Sequence, residues 1–237
     1  MPKPRSSPST AGVTPPRQAR SRATLDRLLG AAADLLAKRR FEEATVADLV
    51  KRAGSSVGAF YTRFPDKHAL LQCFDEQLFE RGQQLWEQFL DPARWAEASI
   101  EEIVAALVAR LVQKRRQHRG LLRSLALYVR SHPEPRFRQR AERLNLFVTR
   151  RLTTLLLARR GEIRHPAPAR AIALGLSLVD STVREAILFA DAGLVTQRLT
   201  DRQLARELTR AYLAYLGVTR KERKRSSRHG SLLGSPP

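Results

Sequence analysis

Between Thr45 and Lys67 the chain places hydroxyls at Thr45, Ser55 and Ser56, a phenol at Tyr61, a guanidinium at Arg63 and an ammonium at Lys67. These are the donor groups that meet phosphate and sugar oxygens of a nucleic acid, and Arg63 can also reach a guanine edge. Val57 offers methyls that pack against a thymine methyl, with Val46 as a further contact candidate. Gly58 has no side chain, so the backbone there can approach a groove wall closely. Thr45, Tyr61 and Lys67 read as phosphate clamps, and Ser56, Val57, Gly58 and Tyr61 as the outward face. The competing role for Tyr61 is core packing with a bonded hydroxyl.

Such a set is useful only if short helices hold it. Thr45 has N-cap chemistry, and Asp48 three residues on completes a capping box that satisfies the first-turn amides. Apolar residues then recur at Val46, Leu49, Val50 and Ala53, and Gly54 can take the left-handed conformation that ends a helix. Ser55 or Ser56 caps a second helix whose apolar mass is Val57, Phe60, Tyr61 and Phe64. Pro65 stops it, and Asp66 caps a third helix with Lys67 in its first turn. This is helix-turn-helix patterning over 45–64, although a plain αα-hairpin has the same outline.

The run LLGAAADLLAKRRFEEATVADLVKRAGSSVGAFYTRFPDKHALL, from Leu28 to Leu71, resembles the DNA-binding domain of TetR-family bacterial transcriptional regulators. The shared features are the Ala pair of the first helix, Phe41, Thr45, Val46, the Ala53-Gly54 turn, Ser56, Gly58, Tyr61, Phe64 and Lys67. The resemblance runs from Arg22 to Leu71. It implies an all-α protein with an N-terminal three-helix helix-turn-helix domain and a larger helical C-terminal domain for ligand binding and dimerisation. It also supports DNA-contact roles for Thr45, Tyr61 and Lys67. The chain departs from the family in three places. Arg40 stands where a glycine is usual, a change costing about 1 kcal/mol if that backbone is left-handed. Val57 occupies an often polar position and Arg63 one that is often His, so base preference does not carry over from relatives.

The 237 residues and 43% hydrophobic content suit one large or two modest domains with a buried core. The expected division is a basic N-terminal arm over 1–20, the DNA-binding domain over 21–81, a helical effector-binding and dimerisation domain over 82–217 and a basic tail over 218–237. Net charge is +20, with five Lys/Arg and no acid in residues 1–22 and six Lys/Arg against Glu222 in residues 218–237. Both ends are rich in Pro, Ser and Arg and read as disordered in isolation. An arm of this kind can follow phosphates or enter the minor groove in a salt-dependent way. The start MPKPRSS is not followed by an apolar run, and no stretch approaches ~18 apolar residues, so neither a secretory signal nor a membrane span is expected. A cytoplasmic, nucleoid-associated bacterial protein is the corresponding expectation.

Beyond Lys67 the periodicity stays helical and no strand alternation occurs. Helices are expected over 66–90, 99–117, 120–130, 135–160, 169–192 and 201–217. The penultimate one is apolar around much of its circumference, through Ile172, Leu174, Leu176, Leu178, Val179, Val183 and Ile187, with Gly175 permitting close approach. With Leu204, Leu208, Leu213 and Leu216 it suggests a homodimeric four-helix bundle presenting two recognition helices to a palindromic operator on double-stranded DNA. An entirely intramolecular core is the alternative.

The resemblance further implies a small-molecule effector. Trp86, Arg123, Tyr128 and Phe147 are candidates to line its pocket, with Asp180 and Arg184 as an i, i+4 pair. A surface ion pair and ordinary core aromatics account for the same residues. No enzyme is indicated, because Gly-rich phosphate loop, HExxH and nucleophile elbow are all missing. His68, His118, His132, His165 and His229 lack ligand spacing, and Cys73 is the only cysteine, so neither a metal nor another cofactor is expected. A non-specific architectural DNA-binding protein, using tail charge and a helical assembly domain, is the alternative function.

Overall fold

The computed structural model describes residues 17–38, 41–132, 135–192 and 199–218. Nine α-helices and no strand occur among them: α1 Arg17–Leu36, α2 Val46–Arg52, α3 Val57–Tyr61, α4 Lys67–Phe89, α5 Ile100–Gln117, α6 Arg119–Ser131, α7 Pro135–Leu157, α8 Pro168–Leu188 and α9 Asp201–Leu216. The fold is all-α, with an N-terminal helix-turn-helix unit. α1 begins at Arg17, inside the stretch assigned to a disordered arm. Residues 1–16 and 219–237, and with them most of both basic ends, lie outside the described residues, as does Arg40.

Local chemistry accounts for the helix limits. Thr45 with Asp48, Ser99 with Glu102 and Thr200 with Gln203 each form a complete capping box, so α2, α5 and α9 start with their first amides satisfied. Asp66 caps α4 by accepting from the Ala69 amide at 2.8 Å. Gly217, in the left-handed region at φ 68°, ends α9. α8 stops at Leu188, earlier than the periodicity suggests, and a 3-10 turn over Ala190–Ala192 follows. α7 likewise ends at Leu157 rather than near Arg160, where a second 3-10 turn, Arg160–Glu162, begins.

Two apolar cores result. The larger joins α5, α7, α8 and α9 around Ile103, Leu107, Leu152, Ile172, Val183 and Leu216. Tyr212 of α9 lies flat over Gly175, where a Cβ would come within 2.1 Å of its ring, and donates to the Ile172 carbonyl at 2.5 Å. The close approach at Gly175 is therefore made within one chain. Burial also raises the Tyr212 phenol well above its ordinary range. The second core unites Leu28, Leu49, Phe60, Phe64 and Leu70 of α1–α4 with Leu121, Leu125 and Tyr128 of α6 and Phe137 of α7. Helix α6 thus supplies part of the floor beneath the helix-turn-helix unit.

Candidate nucleic-acid interface

α2 and α3 are joined by a turn of four residues, Ala53 to Ser56. The Ala53 amide closes α2 on the Leu49 carbonyl at 2.9 Å, Gly54 turns left-handed at φ 56°, and the Ser55 amide donates back to Val50 at 2.9 Å. Ser56, with extended backbone, accepts from the Ala59 amide at 3.1 Å and starts α3. Of the two serines proposed as the cap, Ser56 is the one used.

The α3 sequence separates its two faces sharply. Phe60 is fully buried among α1, α2 and α4, and Phe64 beside it anchors the chain just beyond the helix. Val57 and Tyr61 are 48% and 55% exposed, and Ser56 and Gly58 also face outward. Tyr61 packs its ring edge against Phe60 at 5.3 Å but projects outward rather than into the core. A Cβ on Gly58 would meet nothing within 4 Å. Packing therefore does not require glycine there, and the residue keeps the exposed face low.

A cleft of about 490 Å³ runs between this helix and α1, lined by Ser21, Thr24, Arg27, Ser55, Ser56 and Arg63. The Arg63 guanidinium donates to the Ala59 carbonyl at 3.0 Å and to Ser21 Oγ at 3.1 Å, so it bridges α3 to the first turns of α1. Hydroxyls and two guanidiniums around an open cleft suit a phosphate oxygen. Nothing in the α1 periodicity says which face meets α3, so the sequence alone does not point to Ser21, Thr24 and Arg27.

Two residues proposed as phosphate clamps have internal work. Lys67 Nζ donates to the carbonyls of Phe41, Glu42 and Ala44 at 3.2, 3.1 and 3.1 Å and lies 4.8 Å from the Phe41 ring centroid. All three ammonium donors are spent on the turn before α2 rather than left open to the phosphate expected for Lys67. The Thr45 hydroxyl accepts from the Asp48 amide at 3.1 Å and gives its proton to the Asp48 carboxylate at 2.8 Å. It retains acceptor capacity only, so it cannot donate to phosphate while the box is closed. Val46, in the first turn of α2, is half-buried against the same core.

The unit is tied to the body through α6. Gly120 sits so close to the end of α1 that a Cβ would lie 2.0 Å from the Ala37 carbonyl oxygen. Ser124 donates to the Leu36 carbonyl at 2.8 Å, satisfying an orphan acceptor at the α1 C-terminus. Tyr128 shares a 2.8 Å hydrogen bond with His68 Nδ1 of α4 and stacks on His132 at 4.3 Å. At the other side of α6, Arg119 donates to the Ile187 carbonyl at 2.8 Å and Arg123 pairs with Asp191 at 2.6 Å. The Arg123 hydrogen bond holds the Asp191 carboxyl below its ordinary value.

The six residues proposed as one effector pocket do not converge. Tyr128 belongs to the core under the DNA-binding helices, and Arg123 is engaged at the end of α8. Asp180 pairs with Arg115 of α5 rather than Arg184, which lies beside Ser181 and Glu185. Trp86 packs edge-on to Phe89 beneath the Arg110 guanidinium. Only Phe147 lines a groove on the body, between the end of α4 and α7. Helical spacing identifies a shared face but not the element packed against it, and the neighbours here divide the set. No cluster of three or more His, Cys, Asp or Glu placed to hold a metal occurs among the described residues, and no helix there is long and apolar enough to cross a membrane.

The sequence profile of the bacterial regulatory proteins of the tetR family matches residues 28–72. Over 53 residues the chain is 34% identical to the uncharacterized HTH-type transcriptional regulator YvdT of Bacillus subtilis, a match spanning 22% of this chain and 27% of that protein. The chain thus spans about a quarter of the curated relative it matches. Its fold is similar to that of a putative TetR-family regulator from Mesorhizobium loti, with a TM-score of 0.65 and 18% identity, covering 84% of this chain and 97% of the other. It is also similar to FadR from Bacillus subtilis, solved in complex with stearoyl-CoA, with a TM-score of 0.58 and 18% identity over 81% and 96% of the two chains. The matched segment is similar to the DNA-binding part of such regulators, and the fold of the whole is similar to theirs. The capping box, the Gly54 turn, the buried Phe60 and the outward Tyr61 are thus the parts of a helix-turn-helix, and residues 28–72, which contain them, match the sequence profile of the bacterial regulatory proteins of the tetR family.

Proposed function

We propose that the protein is a sequence-specific transcriptional regulator, acting in the cytoplasm as a homodimeric repressor that a small molecule releases from a palindromic operator. The observation carrying this reading is the division of α3 into a buried Phe60 and an exposed Val57, Gly58 and Tyr61. That face enters a major groove, where Val57 reads a thymine methyl and Gly58 lets the backbone close on the groove wall. The cleft with Ser21, Ser56 and Arg63 receives a flanking phosphate, and Tyr61 positions another.

Dimerisation has its support on α8. Leu174 and Leu178 are 45% and 56% exposed on a helix whose opposite face is buried. Two copies joined through α8 and α9 would pair their recognition helices about one helical turn of DNA apart, matching a two-fold operator. The effector is supported by the body fold and its surface groove, and by the stearoyl-CoA bound to the structurally similar FadR.

Selection of bound duplexes from a random library by the purified protein, at about physiological salt, tests the reading. Recovery of a palindrome supports it. Tight binding with no recovered motif and a steep salt dependence overturns it in favour of an architectural DNA-binding protein.

A further inference from the structure

Helix α7 carries six arginines, Arg136, Arg138, Arg140, Arg143, Arg150 and Arg151, against one acid, Glu142. Three of them have partners on neighbouring elements or on the helix itself: Arg140 with Asp75 and Glu76, Arg151 with Glu87, Arg138 with Glu142. Arg143 and Arg150 are exposed and form no ion pair or hydrogen bond among the described residues. They stand two helical turns apart, about 10 Å along the axis, and therefore on one face. Leu146, 49% exposed, lies between them.

That face borders a groove of about 470 Å³ whose floor is Leu90, Phe147 and Leu155 and whose far wall is Pro92. Thr154 follows Arg150 by one turn and adds a hydroxyl at the same rim. An apolar floor with two unpaired guanidiniums at its edge is unstable to two different solvents. Water satisfies the cations but not Leu146 and Phe147, and an apolar ligand does the reverse. An amphiphile with an anionic head satisfies both at once, through charge-assisted hydrogen bonds at the rim and apolar burial in the floor.

We propose that this groove between α4 and α7 is a binding site for an amphiphilic anion, a carboxylate or phosphate joined to an apolar chain, with Arg143 and Arg150 holding the head and Phe147, Leu90 and Leu155 the chain. The proposal names the effector class for the regulator inferred above and rests on that reading only for its consequence at DNA. The volume suits a ligand of small-molecule size. Arg151 is already neutralised by Glu87 at 3.2 Å, so the head charge is read by the other two.

Direct binding tests this with the full chain. The probe is dodecanoate below its micelle concentration, and the readout is the emission of Trp86 and Trp95, the only tryptophans, both of which pack on Phe89 next to the groove. Wild-type protein should show saturable binding, and the R143Q/R150Q protein binding weaker by about tenfold or more, as loss of charge-assisted hydrogen bonds requires. Neutral dodecanol should bind both proteins alike. Both arginines are exposed and unpaired, so unchanged thermal unfolding of the variant is expected alongside. Equal dodecanoate affinity in the two proteins, or no binding at all, overturns the proposal. So does arginine-dependent sedimentation with phosphatidylglycerol vesicles in the absence of monomer binding, which would make the face a membrane contact. A selected operator with no dodecanoate binding removes only this site; arginine-dependent dodecanoate binding with no operator removes only the regulator reading.

Discussion

Gly120 of α6 faces the Ala37 carbonyl at the end of α1 at a separation that leaves no room for a Cβ, which would fall 2.0 Å from the oxygen. The end of the first DNA-binding helix and the start of α6 are therefore in backbone contact. Ser124 and Tyr128 continue the same seam at one-turn intervals, bonding Leu36 and His68. Displacement of α6 relative to the body would be passed directly to α1 and α4.

Replacing Gly120 with Ala should force this seam apart. The obstacle is backbone, not a flexible side-chain end, so the cost is expected at about 1–3 kcal/mol, the range for overpacked sites. Thermal unfolding should fall by several degrees, and operator affinity should fall further than in Leu107→Ala, a body-core variant on α5 that loses at least as much stability. Equal operator affinities in the two variants would show that the seam does not position the DNA-binding helices.

Gly58→Ala should separate stability from recognition. The added methyl meets nothing in the protein, and alanine is favoured over glycine in a helix by about 1 kcal/mol, so the variant should unfold at the same or a higher temperature. Operator affinity should nevertheless drop, by about tenfold for the loss of one close backbone approach worth ~1.4 kcal/mol. An unchanged affinity, measured by titration of a fluorescent operator duplex, would remove Gly58 from the contact surface.

How far the sequence reveals this site depends on the range of the interactions involved. The Thr45–Asp48 box, the Gly54 turn, the Ser56 cap and the Asp66 cap are settled within three or four residues, and local chemistry predicts them. The outward position of Tyr61 follows from the same helical register that buries Phe60. Lys67 is different. Its ammonium reaches carbonyls 23 to 26 residues earlier, a contact that no spacing pattern announces. Gly120 carried a local signal, a glycine in the first turn of a helix, but its reason lies in α1. The dispersal of Trp86, Tyr128 and Asp180 has the same origin, since each helix face was legible and its neighbour was not.

Lys67→Met tests that reassignment. Three carbonyls lose a charged donor, and the expected loss of stability is about 1–3 kcal/mol. If Lys67 held a phosphate, the slope of log affinity against log salt would also decrease by about one. With its donors committed to Phe41, Glu42 and Ala44, the slope should stay the same while affinity falls with the loosened turn. Measuring the slope for both proteins over a salt series decides between the two roles.

The pairing of Asp75 with Arg140 ties α4 to α7 in the interior, at 2.7 Å with the carboxylate side chain almost fully enclosed. Burial raises the Asp75 carboxyl above its ordinary range, although the Arg140 hydrogen bond and charge oppose the shift. Because the folded state holds that proton more tightly than the unfolded chain, this group's contribution to stability grows as pH falls through the raised value and is lost as pH rises. Arg140→Met leaves the carboxylate buried and unpaired, at an expected cost of about 3 kcal/mol near neutral pH. With the arginine gone the carboxyl rises further, and protonating it relieves the stranded charge. The deficit relative to wild type should therefore narrow as pH is lowered toward about 5. Urea unfolding of both proteins across that interval should show converging midpoints, whereas a constant gap would mean that the cost of the substitution is lost packing of the arginine stem and not the isolated charge.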